Sequence, residues 1–424
     1  MANRYWVGGS GSWTSVSTTN WSTSSGGGGG ASVPSSLDAV IIDSLSGSPT
    51  ITLTGTLICA SLDTTGSTCT LTGSGALSCG GNFTLSTTTT ATAWSGGLTI
   101  TGTSTVTPNG RTINCNLTIN ASVTLAGNSI FGQGASNIVT LTNGTLNLNN
   151  FSLTCTSFTS SNSNTRAIQF GTSGSIVLNP TVGGQFTISN ATGFSYTGTS
   201  LINIGGISSS ISITSSVTSG ASQALNFTLN ASATYTEAAG NVYNNLIVNA
   251  GTLGNTTRLI YGNFTTGASC TLTAGPSITS FIAASGTQTI TTNGKTWDFP
   301  IVIGASGTSA TYIVSGAFTQ GSTRTFTFSY GTLQLTSGTT TTVGSFVGSG
   351  SVLKYLTSSS SGTQATLSQA SGTVNATYLS VKDSAATGGA TWNAPTASNN
   401  VDAGNNTGWS FANPTSTGNY YLIF

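Results

Sequence analysis

The chain has 424 residues, 4% of them charged, a net charge of +1 and no histidine. This leaves no basic or acidic face to attract nucleic acid or anionic lipid. It also removes any imidazole base, Ser-His-Asp triad or histidine metal ligand. No run of about eighteen apolar residues is present, so no membrane span is expected. Helix formers are scarce, with Glu237 the single glutamate. Together with the many Thr, Val and Ile residues, this predicts an all-β chain with almost no helix.

Residues 1–50 read as an N-terminal Trp/Gly-rich module. Trp6, Trp13 and Trp21 stand in a short polar segment and need something to bury against. A glycine run, Gly26–Gly30, supplies a flexible loop. After Val33-Pro34, Asp38 and Asp43 flank the apolar strand Ala39–Ile42. An exposed first coil of a repeat structure needs a cover, and aromatic residues folded over it would close that end. A sugar-binding aromatic patch is the rival reading. The opening Met-Ala-Asn-Arg-Tyr-Trp lacks the apolar core of a signal peptide. That predicts a chain that is cytosolic or released without such a signal, as by lysis.

Residues 51–240 read as the first half of a β-solenoid, with short strands broken by Gly, Asn and Ser. Examples are Thr50–Thr54, Leu98–Thr101, Val139–Thr142, Thr145–Leu148 and Ser210–Thr214. Phe151, Phe158, Phe170, Phe186 and Phe194 are the expected core fillers. The key stretch is Gly102–Ser122, GTSTVTPNGRTINCNLTINAS, which returns 184 residues later as Gly286–Ser306, GTQTITTNGKTWDFPIVIGAS. Asn109-Gly110 and Asn293-Gly294 are turn dipeptides tolerant of positive φ. The end of the unit recurs again at Asn226–Ser232. Gly144-Thr145-Leu146 is echoed by Gly331-Thr332-Leu333, and Ser157-Phe158 by Ser345-Phe346. Strand, tight turn and strand, reused along a chain, describe a solenoid.

Residues 241–380 are then a second, diverged solenoid half, starting near Asn244-Asn245-Leu246 and continuing through Tyr312–Val314 and Thr325–Phe328. Here Trp297-Asp298-Phe299 replaces Ile113-Asn114-Cys115, which makes a bulkier coil. Residues 381–424 form a C-terminal closing module that ends in the apolar run NYYLIF. Roughly fifteen coils of about 20 residues, at about 4.8 Å per rung, predict a shaft of about 70 Å. The fold expected is an elongated parallel β-helix with capping modules at both ends.

Two stretches carry a resemblance. The N-terminal order W-V-G-G-x-G-x-W, N-W-S, Gly-rich loop, A-S-V-P, D-x-V-x-x-D covers about residues 4–43. The closing order is G-G-A-T-W followed by G-N-N-T-G-W. Both resemble modules of β-solenoid virion and fibre proteins of tailed bacteriophages. A related opening begins the passenger regions of some bacterial surface adhesins, but no translocator barrel is legible here. The resemblance implies a tail-fibre, tail-spike or head-fibre component.

Chemistry-bearing residues are few. The acids are Asp38, Asp43, Asp63, Glu237, Asp298, Asp383 and Asp402. A glycosidase needs two carboxylates flanking one bond. Only Asp38 with Asp43, and Asp383 with Asp402, lie close enough in sequence to suggest a pair, and turns explain an Asp there equally well. The six cysteines, Cys59, Cys69, Cys79, Cys115, Cys155 and Cys270, have neither CxxC spacing nor histidine partners. They read as buried fillers rather than metal ligands. T-x-T pairs such as Thr103/Thr105 and Thr140/Thr142 raise the thought of an ice-binding face. Their irregular spacing points instead to outward β-formers.

The reading that results is a non-enzymatic structural protein of a bacteriophage virion, without catalytic residues, metal or cofactor. Its expected partners are further copies of itself, a trimer by analogy with phage fibres, other virion proteins and a host surface glycan. Neither nucleic acid nor membrane insertion is expected. Candidate ligand contacts are Trp392, Asn393, Asn405, Asn406 and Trp409, because exposed indole faces stack on sugars and amides bond to hydroxyls; the competing and favoured reading has Trp392 and Trp409 covering the core of the last coil, since an open solenoid end needs a cover. Candidate oligomer contacts are Tyr420, Tyr421, Leu422, Ile423 and Phe424. A cellular surface filament or adhesin, located extracellularly, is the alternative, and a polysaccharide depolymerase on the same scaffold is a third reading.

Overall fold

The computed structural model describes residues 2–14, 19–132, 137–206, 210–215 and 224–413. The chain divides into two compact units. One comprises Met1–Asn241 with Ala250–Thr252, the other Val242–Asn249 with Leu253–Phe424. Strands make up 51% of residues and helix 2%, so the fold is all-β, and it is a β-solenoid.

Three parallel ladders wind through the first unit. The first ladder runs from Ala2–Trp6 through Asp38–Ile41, Ser61–Asp63, Phe83–Thr84 and Ser104–Thr107 to Val123–Leu125. It continues through the C-terminal part of Ile138–Asn147 to Arg166–Gln169 and Phe194–Thr197. The second begins at Gly11–Ser12 and Thr50–Leu53 and reaches Leu225–Leu229. The third begins at Thr56–Cys59 and ends at Thr234–Glu237. Each strand donates to and accepts from the coil before and the coil after, so the wall satisfies its own backbone groups.

Alternation within each strand decides what the wall encloses. On the third ladder Leu57, Leu77, Leu98, Leu117, Val139, Phe158, Phe186 and Ile213 follow one another in register. All are buried, while the residues between them face outward. Of the five phenylalanines expected in the core, Phe158, Phe170, Phe186 and Phe194 are buried. Phe151 is only half-buried. It follows Asn149 and Asn150, both at positive φ, so it sits on a corner rather than within a strand.

Corners are held by small residues and by asparagine side chains. Asn82, Asn116 and Asn128 each accept, through Oδ1, the backbone N–H of Thr105, Ile138 or Ser152 in the following coil at 2.9 Å. At Gly96 a Cβ would come within 1.9 Å of the Gly75 carbonyl oxygen, so only glycine lets those two corners stack.

The second unit repeats the plan. One ladder runs from Phe264–Leu272 through Thr287–Thr291, Thr311–Ser315, Thr332–Leu335, Lys354–Ser358 and Leu379–Val381 to Val401–Asp402. Another runs from Thr296–Trp297 to Ser384–Gly388. A third runs from Arg258–Ile260 to Ser345–Val347. Thr373–Asn375, Thr391–Asn393 and Trp409–Ser410 form a separate short parallel sheet.

The repeated segments adopt the same turn. Asn109 and Gly110 have φ of 50° and 74°, and Asn293 and Gly294 have 47° and 78°. Asn109 Nδ2 donates to the Leu85 carbonyl at 2.8 Å and Asn293 Nδ2 to the Thr266 carbonyl at 2.7 Å. The echo Gly144-Thr145-Leu146 and Gly331-Thr332-Leu333 falls on corresponding ladders, with both glycines at positive φ. The third recurrence, Asn226–Ser232, does not correspond. Its strand Leu225–Leu229 lies on the second ladder, whereas Asn116–Asn120 lies on the third. A short alternating motif suits any wall of a coil.

Candidate functional site

The sequence-predicted ligand residues lie together in the last coils of the second unit. Trp392 is 3% exposed, with ring contacts to Phe346 at 6.1 Å and Trp409 at 5.0 Å. Its Nε1 donates to the Thr387 carbonyl at 3.1 Å. An exposed stacking platform is therefore not what Trp392 offers: alternation in Thr391–Asn393 turns its ring inward. Trp409 is half-buried, and its Nε1 donates to Ser384 Oγ at 3.1 Å.

The neighbouring amides are occupied in holding coils together. Asn393 Nδ2 donates to Asn375 Oδ1 at 2.9 Å. Asn405, at φ 55°, donates to Asp383 Oδ1 at 2.7 Å and so holds that carboxyl below its usual value. Asn406 Nδ2 donates to the Val381 carbonyl and to Asp402 Oδ1, both at 2.7 Å, while its Oδ1 accepts from Ser384 N. Tyr420, Tyr421, Leu422, Ile423 and Phe424 lie outside the described residues.

Trp6, Trp13 and Trp21 are buried and meet edge-to-face, at 5.0 Å for Trp6–Trp21 and 5.1 Å for Trp13–Trp21. Trp6 Nε1 donates to the Gly9 carbonyl and Trp21 Nε1 to the Trp13 carbonyl. The strand Ala2–Trp6 has both edges engaged, Asp38–Ile41 in parallel on one side and Trp21–Ser22 antiparallel on the other.

The carboxylates are dispersed. Asp38 sits 3.4 Å from Arg4 and accepts from Ser35; although burial opposes ionisation, these bonds and the Arg4 charge hold its carboxyl below the usual range. Asp43 caps the short Ser44–Ser46 turn. Asp298 pairs with Arg324 at 2.6 Å. Asp63 is exposed, with Oδ1 accepting from Thr65 N. Neither sequence-adjacent acid pair presents two free carboxylates to one point. Among the described residues no group of three or more His, Cys, Asp or Glu side chains is placed to hold a metal ion.

All six cysteines are buried and unbridged. Cys59 and Cys79 are in register on adjacent rungs, and the hydrogen bond between them, with burial, pushes the Cys59 thiol up. Burial pushes Cys115 up to about 12.

Three buried cations had no signal in the sequence. Arg166 is fully buried, donates to the carbonyls of Asn164, Thr192, Ser160 and Asn190, and lies over the Phe194 ring. Arg258 donates to Thr279 Oγ1 and the Gly254 carbonyl. Lys354 is fully buried, with Nζ 2.8 Å from the Thr377 carbonyl, and burial lowers its pKa to about 8. The outer wall of the first unit also carries solvent-open hollows on its first ladder.

Comparison with protein-family models, curated proteins and solved structures returns no match.

Proposed function

We propose that this chain is a non-enzymatic structural protein of a bacteriophage virion, a tail-fibre, tail-spike or head-fibre component that reaches toward the host surface. The observation that carries the reading is the solenoid itself. Coil upon coil is satisfied by its neighbours, and the polar side chains with chemical potential are spent on corners and ion pairs. A parallel coil of this kind compatible with a fibre or spike gains rigidity from every added rung. In this reading the Trp6–Trp13–Trp21 cluster covers the first coil, and the Trp392–Trp409 pair covers the last described one.

Immunogold labelling of purified native particles with antibody to this chain tests the reading. Label on tail or head fibres is the expected result. Label on cell envelopes, with none on particles, would replace it with the surface-filament reading. Release of reducing ends from host capsule by the purified chain would replace it with a depolymerase.

The apolar NYYLIF run motivates the accompanying proposal of a homo-oligomer, a trimer by analogy with phage fibres. Sedimentation of a chain ending at Thr417 then yields smaller species than the full chain. Equal sedimentation of the two would remove the tail from the oligomer contact.

A further inference from the structure

The third ladder of the Met1–Asn241 unit opens later than its neighbours. Ala2–Trp6 and Trp21–Ser22 stand at the start of the first ladder, and Gly11–Ser12 at the start of the second. The third begins at Thr56–Cys59, which among the described residues pairs on one side only, with Ala76–Cys79. Stacked coils open from their ends, so such a rung is held less firmly than one inside the ladder.

Two cysteines meet at this place. Register sets Leu57 on Leu77 and Cys59 on Cys79. Both thiols belong to the inward-facing set with those leucines, and both are fully buried. A hydrogen bond joins them. Adjacent rungs place Cα atoms about 4.8 Å apart, within the range of about 4.4 to 6.8 Å that a disulfide spans. No further cysteine shares this register, because the next residue along the ladder from Cys79 is Ile100. Cys69 packs elsewhere, with Sγ 3.6 Å from Thr89 Oγ1. Cys155 stands between Phe131 and Leu178 on the second ladder.

We propose that Cys59 and Cys79 form a disulfide when the chain folds in oxidising surroundings, locking the first rung of the third ladder to the second. The oxidant is a low-molecular-weight disulfide such as oxidised glutathione. One protein thiolate attacks a sulfur of that oxidant, the oxidant's S–S bond breaks and one glutathione thiolate leaves. The other protein thiolate attacks the mixed disulfide, the Cys59–Cys79 bond forms and the second glutathione leaves. The protein is oxidised by two electrons, the oxidant is reduced by two, and the two thiol protons end on the two glutathiones. Burial fixes the timing. The completed coil shields both thiols from soluble reagents, so the bond closes while the coils are still assembling. In a reducing cytosol the pair stays as two thiols. The crosslink closes a loop of about 20 residues, which restricts the unfolded chain and so favours the folded one. The inference goes beyond the structural reading and does not depend on it.

The test is cell-free synthesis of the full chain in two buffers, one with reduced glutathione only and one with reduced and oxidised glutathione together. The soluble product is alkylated in denaturant, digested and read by mass spectrometry. The reduced sample should show all six thiols alkylated, and the oxidised sample four, with a peptide in which Cys59 is linked to Cys79. Circular dichroism of the two should match. The oxidised chain should melt several degrees higher, a gain that added reductant removes. A Cys59→Ala chain should show five alkylated thiols in both buffers and no gain in melting. The inference is overturned if all six thiols are alkylated in both samples, or if the bond formed in the oxidised one joins other cysteines. It is equally overturned if the chain linked through Cys59 and Cys79 loses its β spectrum or melts no higher than the reduced chain.

Discussion

The two units build the same kind of wall around different interiors. In Met1–Asn241 the third-ladder column is aliphatic from Leu57 through Val139, and five of the six buried thiols are here. In Val242–Phe424 the interior is a chain of rings. Trp297 meets Phe264 at 4.6 Å, Phe299 at 5.5 Å and Phe318 at 5.8 Å, and contacts pass on through Phe326, Phe346 and Trp392 to Trp409. Yet the Asn-Gly corner is the same in both, with matching φ values and matching side-chain hydrogen bonds. Corner chemistry and strand alternation therefore set the coil. The filling can change while the wall persists, provided volume and facing are kept.

The largest effect should come from emptying the aromatic interior. Trp297→Ala is expected to destabilise the second unit by about 3–5 kcal/mol, read from denaturant unfolding. Trp297→Phe keeps most of the ring and removes a buried Nε1 that lacks a partner, so it should cost much less. Similar losses for the two variants would mean that ring packing is not what holds this interior. Trp409→Ala should cost less than Trp297→Ala, because part of its ring is already in solvent.

Next in size is the buried cation of the first unit. Arg166→Ala strips donors from several buried carbonyls and should cost about 3 kcal/mol. Guanidinium burial is sustained here by backbone carbonyls, the Ser160 hydroxyl and the Phe194 ring, and that burial lowers the Arg166 pKa. Unchanged unfolding in this variant would show that water can replace the side chain.

Lys354 sharpens the comparison through pH. Its pKa falls from 10.5 to about 8 on folding because its ammonium is buried. The unfolded chain then holds more protons between those values, so stability rises as pH climbs from about 8 to 10.5. Below pH 8 the charged form carries a constant cost of about 3 kcal/mol. Lys354→Met should be the more stable chain at pH 7 and should lack that alkaline rise. A parent profile as flat as the variant's would contradict the burial.

The smallest effect concerns the thiols. Chelator and reductant should leave the melting temperature where it is, and a thiol reagent should react with none of the six cysteines until the chain unfolds. A fall of several degrees with chelator would reveal a metal.

Much of the architecture is legible in the residues. Scarcity of helix formers, alternation and the Gly102–Ser122 repeat point to a solenoid, and the Asn-Gly dipeptides mark its corners. The ladder to which a strand belongs is not legible, because the loops between rungs vary in length. Leu77 to Leu98 is one coil, and so is Phe158 to Phe186. Outward neighbours such as Thr124, Asn147 and Gln169 are therefore brought together by register that spacing does not reveal. Which of the two readings holds for Trp392, ligand platform or core cover, is likewise not legible. Its polar, Gly-rich neighbours suggest exposure, but a strand's facing is decided by the rung beneath, and Val374 beneath it is buried.

Electron cryomicroscopy of the isolated full chain tests the central claim most directly. The account predicts, within each unit, three parallel ladders of strands stacked at about 4.8 Å, an aliphatic column from Leu57 through Val139 in the first unit and a chain of ring densities through Trp297 inside the second. Antiparallel strand pairing through the body of either unit, or a Trp297 side chain in solvent, would contradict it.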